Sequence, residues 1–400
     1  MASQETSIQS LGQEVLTPNY GQRNMALVRG EGIHVWDSDG RRYVDLLSGL
    51  GVNNLGHCHP EVVKAIQKQA QTLIHVSNLY LIEPQIQLAD MIIQHSPADR
   101  VFFCNSGTEA VEAALKLARR YSFDKFGAGR HKVIALESSF HGRTMGALAA
   151  TGQPKYHEGF EPLLEGFSHV PLNDIDALKA AVDDSVCAVI IEPIQGEGGI
   201  YPCQTQYLQS VRELCDQKNL LLIFDEVQCG LGRAGALFCS DLFDVEPDVI
   251  TLAKGLAGGV AIGAMLAKEE PAKSLVPGTH AATFGGNPLA CAAGIAAFNF
   301  TIKENLPKRS KKIGGNFIGS LNQLKDKYPQ HIREVRGMGL MIGVELTFPS
   351  AEAIGALLND GFITGPAGPN VLRFLPPLIV EEQILSSALE RLDAFLAAKK

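Results

Sequence analysis

Leu220-Leu221-Leu222-Ile223-Phe224-Asp225-Glu226-Val227-Gln228 is a short apolar run that stops abruptly at two carboxylates. An unbroken apolar run of this length, not an alternating one, is what a strand buried on both faces of a parallel sheet requires. Val101-Phe102-Phe103-Cys104, Lys132 to Leu136, Val186 to Ile191 and Asp248 to Leu252 repeat the pattern, with helical periodicity between them. From about residue 55 to residue 290 the chain therefore reads as alternating strand and helix. That order predicts an α/β fold, a large mostly parallel sheet with helices on both faces.

Outward from this centre the pattern changes. Between Ala26 and Asp45 the residues alternate around a Ser38-Asp39-Gly40 turn, which predicts antiparallel strands ahead of the large domain. After about residue 303 come a polar helix, a strand pair around Glu334 to Glu345, a helix near 351–359 and a last helix from about 381. The expected organisation is an N-terminal segment, 1–54, packing with a small α+β domain, 303–400, and a large domain between them, 55–302. No fixed-period repeat is present.

With 400 residues, 46% of them hydrophobic, the chain can bury a large core, which excludes disorder. Its 35 basic and 43 acidic side chains leave a net charge of −8, and nucleic acid is a poor partner for such a surface. The one dense basic run, Lys308-Arg309-Ser310-Lys311-Lys312, reads as a solvated helix face. Eight cysteines without a Cys-x-x-Cys pair are the usage of reduced, packing thiols in a cytosolic protein. In His57-Cys58-His59 successive side chains point to opposite sides, so a loop or structural role is expected and no metal site. The start, Met1-Ala2-Ser3-Gln4-Glu5, has no apolar leader, and the first arginine is Arg23, so a soluble, cytoplasmic protein is expected, away from membranes.

Ligands of open parallel sheets collect at the carboxyl ends of strands, where three of the apolar runs end in reactive residues. Asn105-Ser106-Gly107-Thr108-Glu109-Ala110 opens a helix that includes Ala113 to Tyr121, offering hydroxyls, free N–H groups and the positive dipole end to a phosphate. Taken alone, Ser and Thr there are equally ordinary helix caps. It is neither a Walker nor a dinucleotide motif. Asp225 is a carboxylate whose burial calls for a cationic partner, such as a protonated pyridine nitrogen. Lys254, directly after Val249-Ile250-Thr251-Leu252-Ala253, would be a nucleophilic amine if desolvated, though a lone lysine at a strand end is more often a solvated rim residue. Phosphate cradle, acid and lysine together describe a pyridoxal phosphate site, supplying anchor, electron sink and Schiff base.

From Asn19-Tyr20 to Leu372-Arg373-Phe374-Leu375-Pro376-Pro377-Leu378 the chain resembles the class III, ornithine-type aminotransferases. The resemblance rests on Ser106-Gly107-Thr108-Glu109-Ala110, Ser139-Phe140-His141-Gly142-Arg143, Glu192-Pro193-Ile194-Gln195-Gly196-Glu197-Gly198-Gly199, Asp225-Glu226-Val227-Gln228, Leu252-Ala253-Lys254-Gly255 and Thr283-Phe284-Gly285-Gly286-Asn287-Pro288. It implies a fold-type-I enzyme dependent on pyridoxal 5′-phosphate. Ser106, Gly107 and Thr108 would hold the cofactor phosphate, Phe140 would stack on its ring, Asp225 would pair with the ring nitrogen and Gln228 would approach the ring hydroxyl. Lys254 would form the Schiff base and shuttle the proton. Thr283 would reach the phosphate of the neighbouring subunit, which implies a homodimer with shared sites.

The same resemblance gives Arg143 one substrate carboxylate and Arg373 the other, that of glutamate or 2-oxoglutarate, with Glu197 neutralising Arg373 when the donor brings an amine. Tyr20 would touch a donor carboxylate. Val111 and Ala282 depart from the family pattern, and Ala282 leaves backbone groups alone for substrate contact there. The implied reaction moves the distal amino group of N-acetyl-L-ornithine to 2-oxoglutarate, giving N-acetyl-L-glutamate 5-semialdehyde and glutamate in arginine biosynthesis. Ornithine, succinylornithine and 4-aminobutyrate are rival donors. An aminomutase or racemase, or a catalytically silent binding protein on the same scaffold, is a rival class, against which Glu197, Arg373 and an intact Lys254 speak.

Overall fold

The structure, a computed structural model, describes residues 8–21 and 25–399. Residues 1–7, 22–24 and 400 lie outside the described residues, and with them the reading of Met1 to Glu5 and Arg23. At the centre is a seven-stranded sheet in the spatial order Arg100–Cys104, Gly263–Ala267, Val249–Leu252, Leu221–Asp225, Val186–Ile191, Lys132–Leu136, Phe167–Val170. All five apolar runs picked from the sequence are in it. Every residue of Val186–Ile191 and of Leu221–Asp225 is buried, which is why these strands read as continuous and not alternating.

Two strands of this sheet had no clear signature. Gly263–Ala267 runs antiparallel to both of its neighbours, Val249–Leu252 and Arg100–Cys104. Its Gly-Ala-Met-Leu-Ala sequence contains no β-branched or aromatic residue, so burial between two strands decides its conformation where propensity does not. Phe167–Val170 is a short edge strand, pairing only with Lys132–Leu136.

The amino-terminal strands Leu27–Glu31, His34–Asp37 and Arg42–Asp45 form the expected antiparallel meander. Its turn is held by Asp37, whose Oδ1 accepts the N–H groups of Asp39 (3.0 Å) and Arg41 (2.8 Å). Arg42–Asp45 then pairs in parallel with Phe362–Ile363, Phe362 standing opposite Val44 and Ile363 opposite Asp45, so the amino-terminal meander is hydrogen-bonded to the carboxyl-terminal part of the chain.

A separate four-stranded sheet, in the order Ile332–Met338, Met341–Leu346, Val371–Phe374, Gly365–Pro366, packs with the helices Leu306–Lys327, Ser350–Asn359 and Glu382–Ala398. The basic run lies on the first of these helices and is only partly solvated. Lys308, Lys311 and Lys312 are exposed, whereas Arg309 donates to the carbonyls of Leu378, Ile379 and Val380 and buried Ser310 donates to the Arg233 carbonyl. The helix turns that part of the run inward to tie down residues 378–380.

All eight cysteines are free thiols, and all but Cys58 are buried. In the His57-Cys58-His59 segment each histidine has its own partner: His57 Nε2 meets Asp45 Oδ2 at 2.8 Å, and the His59 ring packs edge-on against Phe300. Among the described residues no helix is long and apolar enough to cross a membrane.

Candidate active site

The carboxyl ends of Arg100–Cys104, Leu221–Asp225 and Val249–Leu252 open into a cavity of about 470 Å³. Asp225 and Thr251 are register partners across neighbouring parallel strands, which brings Lys254, three residues further on, to the same cavity as Asp225. Asp225 is almost wholly buried and heavily held. Its Oδ1 accepts from Thr251 Oγ1 (3.0 Å) and the Val227 N–H (3.1 Å), and its Oδ2 accepts from His141 Nδ1 (2.7 Å). Three-fold fixation of this kind locks the rotamer and aims the carboxyl. The other ring nitrogen of His141 is buried without a partner among the described residues.

Lys254 is not simply the end of a strand. It opens the 3₁₀ turn Lys254–Ala257 with φ of +35°, a left-handed value that costs a lysine energy and is tolerated where the surroundings enforce it. Gly255 follows because a Cβ there would come within 2.2 Å of Asn54 Nδ2. Desolvation pushes the Lys254 ammonium below its usual pKa, against the pull of Glu197, Asp225 and Glu192, and Arg373 adds to the lowering. The group is thereby brought toward the neutral, nucleophilic amine.

The 20-residue helix Gly107–Phe126 points its amino terminus at the cavity. Ser106 is its N-cap: Oγ accepts the Glu109 N–H at 3.3 Å, and Glu109 reaches back to the Asn105 N–H, closing a capping box. Gly107 and Thr108, in the first turn, have no intrahelical acceptors for their N–H groups and line the cavity, a ready anion site. Val111, where the family pattern differs, is fully buried in the helix–sheet core and does not line the cavity.

Phe140 and Arg143 line the cavity from the loop after Lys132–Leu136. The Arg143 guanidinium lies over the Tyr156 ring at 3.9 Å, and Tyr156 meets Phe140 edge-on at 5.8 Å. Arg143 has no carboxylate partner among the described residues and is exposed, so its fork remains open to a ligand. Tyr156 had no sequence signal, since an aromatic in a loop is read as function only once its neighbours are known.

Glu197 and Arg373 form an ion pair at 2.5 Å, beside the cavity and not in its lining. Gln228, which does line it, joins them: its Nε2 donates to Glu197 Oε1 at 3.3 Å, and its Oε1 accepts from Arg373 Nη1 at 3.4 Å. Burial pushes the Glu197 carboxyl up, but the Arg373 guanidinium, helped by Lys254 and the Gln228 amide, holds the group below the usual carboxylate range. Arg373 itself is 2% exposed, and its Nε has no partner among the described residues.

Three sequence-derived site residues stand away from this cavity. Tyr20 is exposed in an amino-terminal groove with Leu16 and Met25. Thr283 is exposed, and the Ala282 carbonyl accepts from Asn78 Nδ2 at 3.1 Å. Conversely, His141 and Glu192 line the cavity without having been assigned a role. Glu192 could have been found by the rule that found Asp225, since it directly follows the strand Val186–Ile191.

The cavity therefore presents a helix amino terminus suited to an anion, an aimed buried carboxylate and a deprotonation-prone lysine, with an aromatic ring in the wall. A ligand with a phosphate, a protonatable ring nitrogen and a carbonyl fits this set. Residues 15–396 match the family described as "Aminotransferase class-III". The chain is 52% identical over 384 residues to the acetylornithine aminotransferase of Methanocaldococcus jannaschii, covering 95% of this chain and 96% of that one. Among solved structures it resembles the ornithine aminotransferase from Toxoplasma gondii, with a TM-score of 0.94, 33% identity and coverage of 98% and 96%. It also resembles the N-acetylornithine aminotransferase from Stenotrophomonas maltophilia, with a TM-score of 0.82, 37% identity and coverage of 97% and 98%. A match over nearly the whole length, on an α/β architecture of fold type I and around these side chains, means that the chain belongs to the class III aminotransferases, enzymes whose cofactor is pyridoxal phosphate.

Proposed function

We propose that this aminotransferase takes the distal amino group of N-acetyl-L-ornithine and gives it to 2-oxoglutarate, producing N-acetyl-L-glutamate 5-semialdehyde and L-glutamate, a step of arginine biosynthesis in the cytoplasm. The observation that carries the reading is the Glu197–Arg373 pair joined to the cavity through Gln228. A site for two alternating substrates needs a cation that can be covered, and this one is. The names of the sequence relatives support the acetylated donor.

Pyridoxal phosphate, when bound, supplies a carbonyl for the amine and a ring that withdraws electrons from the carbon bearing it. The chain's own residues do the rest. Ser106, Gly107 and Thr108 would anchor the phosphate at the helix terminus, Phe140 would pack on the ring, Gln228 would meet its hydroxyl and Asp225 would hold the ring nitrogen protonated. The Lys254 Nζ takes the proton from the carbon bearing the amine in one half-reaction and delivers a proton to the corresponding carbon of the acceptor in the other. Arg143 binds the carboxylate far from the transferred amine of the donor, in a bidentate geometry. Arg373 binds a carboxylate of glutamate or 2-oxoglutarate once Glu197 moves off it.

Glu197→Ala tests the reading. Without the acid, Arg373 stands open to carboxylates and uncompensated when the donor's amine arrives, and an unpaired buried guanidinium costs several kcal/mol. The half-reaction with glutamate should persist or improve, and that with acetylornithine should fall about tenfold or more. Stopped-flow traces of each half-reaction decide it, and equal losses in both would make Glu197 structural. The structural likeness to ornithine aminotransferases makes free ornithine the rival donor, which the wild-type trace with each donor separates.

The same reading makes the enzyme a homodimer, with residues 1–54 and 303–400 forming the small part and 55–302 the large one. Leu79, Tyr80, Leu81 and Phe284 are exposed by 60% or more beside Thr283, an apolar patch that a second copy would cover. Asn78 Nδ2 holds the carbonyls of Ala282 and Gly285, fixing the Thr283 loop to this surface. Thr283 then serves the partner's phosphate, and Tyr20 and Ala282 also contribute to binding substrate at a site formed by both copies. Co-expressed Lys254→Ala and Thr283→Ala chains should regain activity, because a mixed dimer holds one site with both residues intact. Purified mixed dimers no more active than either parent would count against the shared site.

A further inference from the structure

Glu192 directly follows the central strand Val186–Ile191 and is 5% exposed, and both of its oxygens are engaged by backbone. Oε2 accepts the Phe140 N–H at 2.8 Å and Oε1 accepts the Gly196 N–H at 3.1 Å. The first bond holds the segment that carries Phe140 and Arg143. The second holds the residue before Glu197. These two segments are otherwise in close backbone contact: a Cβ on Gly198 would come within 2.4 Å of the Ser138 carbonyl oxygen, and Gln195 Nε2 donates to the Glu137 carbonyl at 2.8 Å. Gly196 is also pressed against Gln228, where a Cβ would meet Oε1 at 2.4 Å.

We propose that Glu192 is a positioning residue that holds the Phe140–Arg143 segment and the Glu197 switch in register through one carboxyl group, and so sets the relative rates of the two half-reactions. The inference rests on the switching role of Glu197 given above. A carboxyl is suited to this place because it offers acceptors on both oxygens. An amide of the same shape offers one acceptor and turns its NH₂ toward an N–H, so one of the two segments must let go. The Glu197 carboxylate then loses its fixed approach to Arg373 without any change in its own side chain. Burial pushes Glu192 up to about 7, against the pull of His141 and with Asp225 raising it further, which marks a carboxyl retained at a site where its charge is costly.

The test is a double-mutant cycle on the holoenzyme with Glu192→Gln, Glu197→Ala and the pair, reading both half-reactions by stopped flow. The expected result is that E192Q lowers the ratio of the acetylornithine rate to the glutamate rate about fivefold or more, and adds little to the ratio in an E197A background, since the switch is already gone. Equal losses in both half-reactions, or effects that add in full, would overturn the proposal. Glu192→Asp, which is too short to reach both N–H groups, should shift the ratio in the same direction, and an unchanged ratio in that variant would also overturn it. A wild-type enzyme that fails to react with acetylornithine would instead sink the donor assignment, and the same cycle is then read with ornithine. If neither variant yields holoenzyme, amide exchange in the wild type decides: slow exchange at Phe140 and Gly196 is expected, and fast exchange at either overturns the proposal.

Discussion

Lys254→Ala is expected to lower turnover on the order of 10⁴-fold, the upper end of what a positioned general acid–base contributes. The same change should abolish the covalent attachment of the cofactor to protein. Lys254 is the one lysine lining the cavity among the described residues, so no second amine stands ready to replace it. Its readiness has a local cause. The strand Val249–Leu252 and the tight turn beginning at Lys254 fix the backbone at a left-handed φ, and desolvation lowers the ammonium's pKa although three carboxylates oppose it. Borohydride treatment followed by peptide mapping gives a readout that does not depend on turnover. The wild-type enzyme should retain the reduced cofactor on the peptide containing Lys254, and the variant on none. Label found on another lysine of the wild type would end the assignment.

The strand-end rule that singled out Lys254 and Asp225 worked because both follow strands buried on both faces, whose unbroken apolar runs are easy to see. The rule had less to offer where burial did not leave that mark. Gly263–Ala267 is a central strand made of small and unbranched residues, and only its position between two others explains it. The N-cap reading of Ser106 is seen directly, and it leaves room for the anion-site reading of its neighbours: Ser106 caps the helix, while Gly107 and Thr108 line the cavity.

Glu197 and Arg373 were a different problem. They lie 176 residues apart, on a loop after one sheet and a strand of another. No local pattern announces such a pair, and it entered only through the resemblance. Glu192 was missed for the opposite reason: its motif was plain, but a carboxyl whose work is to hold two backbone N–H groups has no side-chain partner to suggest it. Thr283 shows a third kind of limit. It is exposed in one chain, and any function it has at the cofactor phosphate needs a second copy, which neither one sequence nor one protomer contains.

Asp225→Asn should cost about 3 kcal/mol or more of transition-state stabilisation, a loss of roughly 10²-fold or greater, by analogy with removing a fixed charge from a dry catalytic site. The change keeps the volume and much of the hydrogen bonding while removing the negative charge. In the wild type, Thr251 Oγ1, the Val227 N–H and His141 Nδ1 all donate to the carboxyl, so it reaches the cavity already oriented and gains nothing by reorganising during the reaction. A ring nitrogen facing an amide in its place has no anion to keep it protonated, and the ring withdraws electrons less well. Asp225→Ala removes the acceptor altogether and strands the buried donors of His141 and Thr251, so that variant should lose stability as well as rate, on the order of 1–3 kcal/mol for each unsatisfied group. The comparison separates the two effects. Because the phosphate anchor proposed at Gly107 and Thr108 lies on a different element, Asp225→Asn should still bind cofactor, measurable from its absorbance after dialysis. An Asn variant that folds, retains cofactor and turns over at a near-normal rate would show that the charge of Asp225 does not drive the reaction.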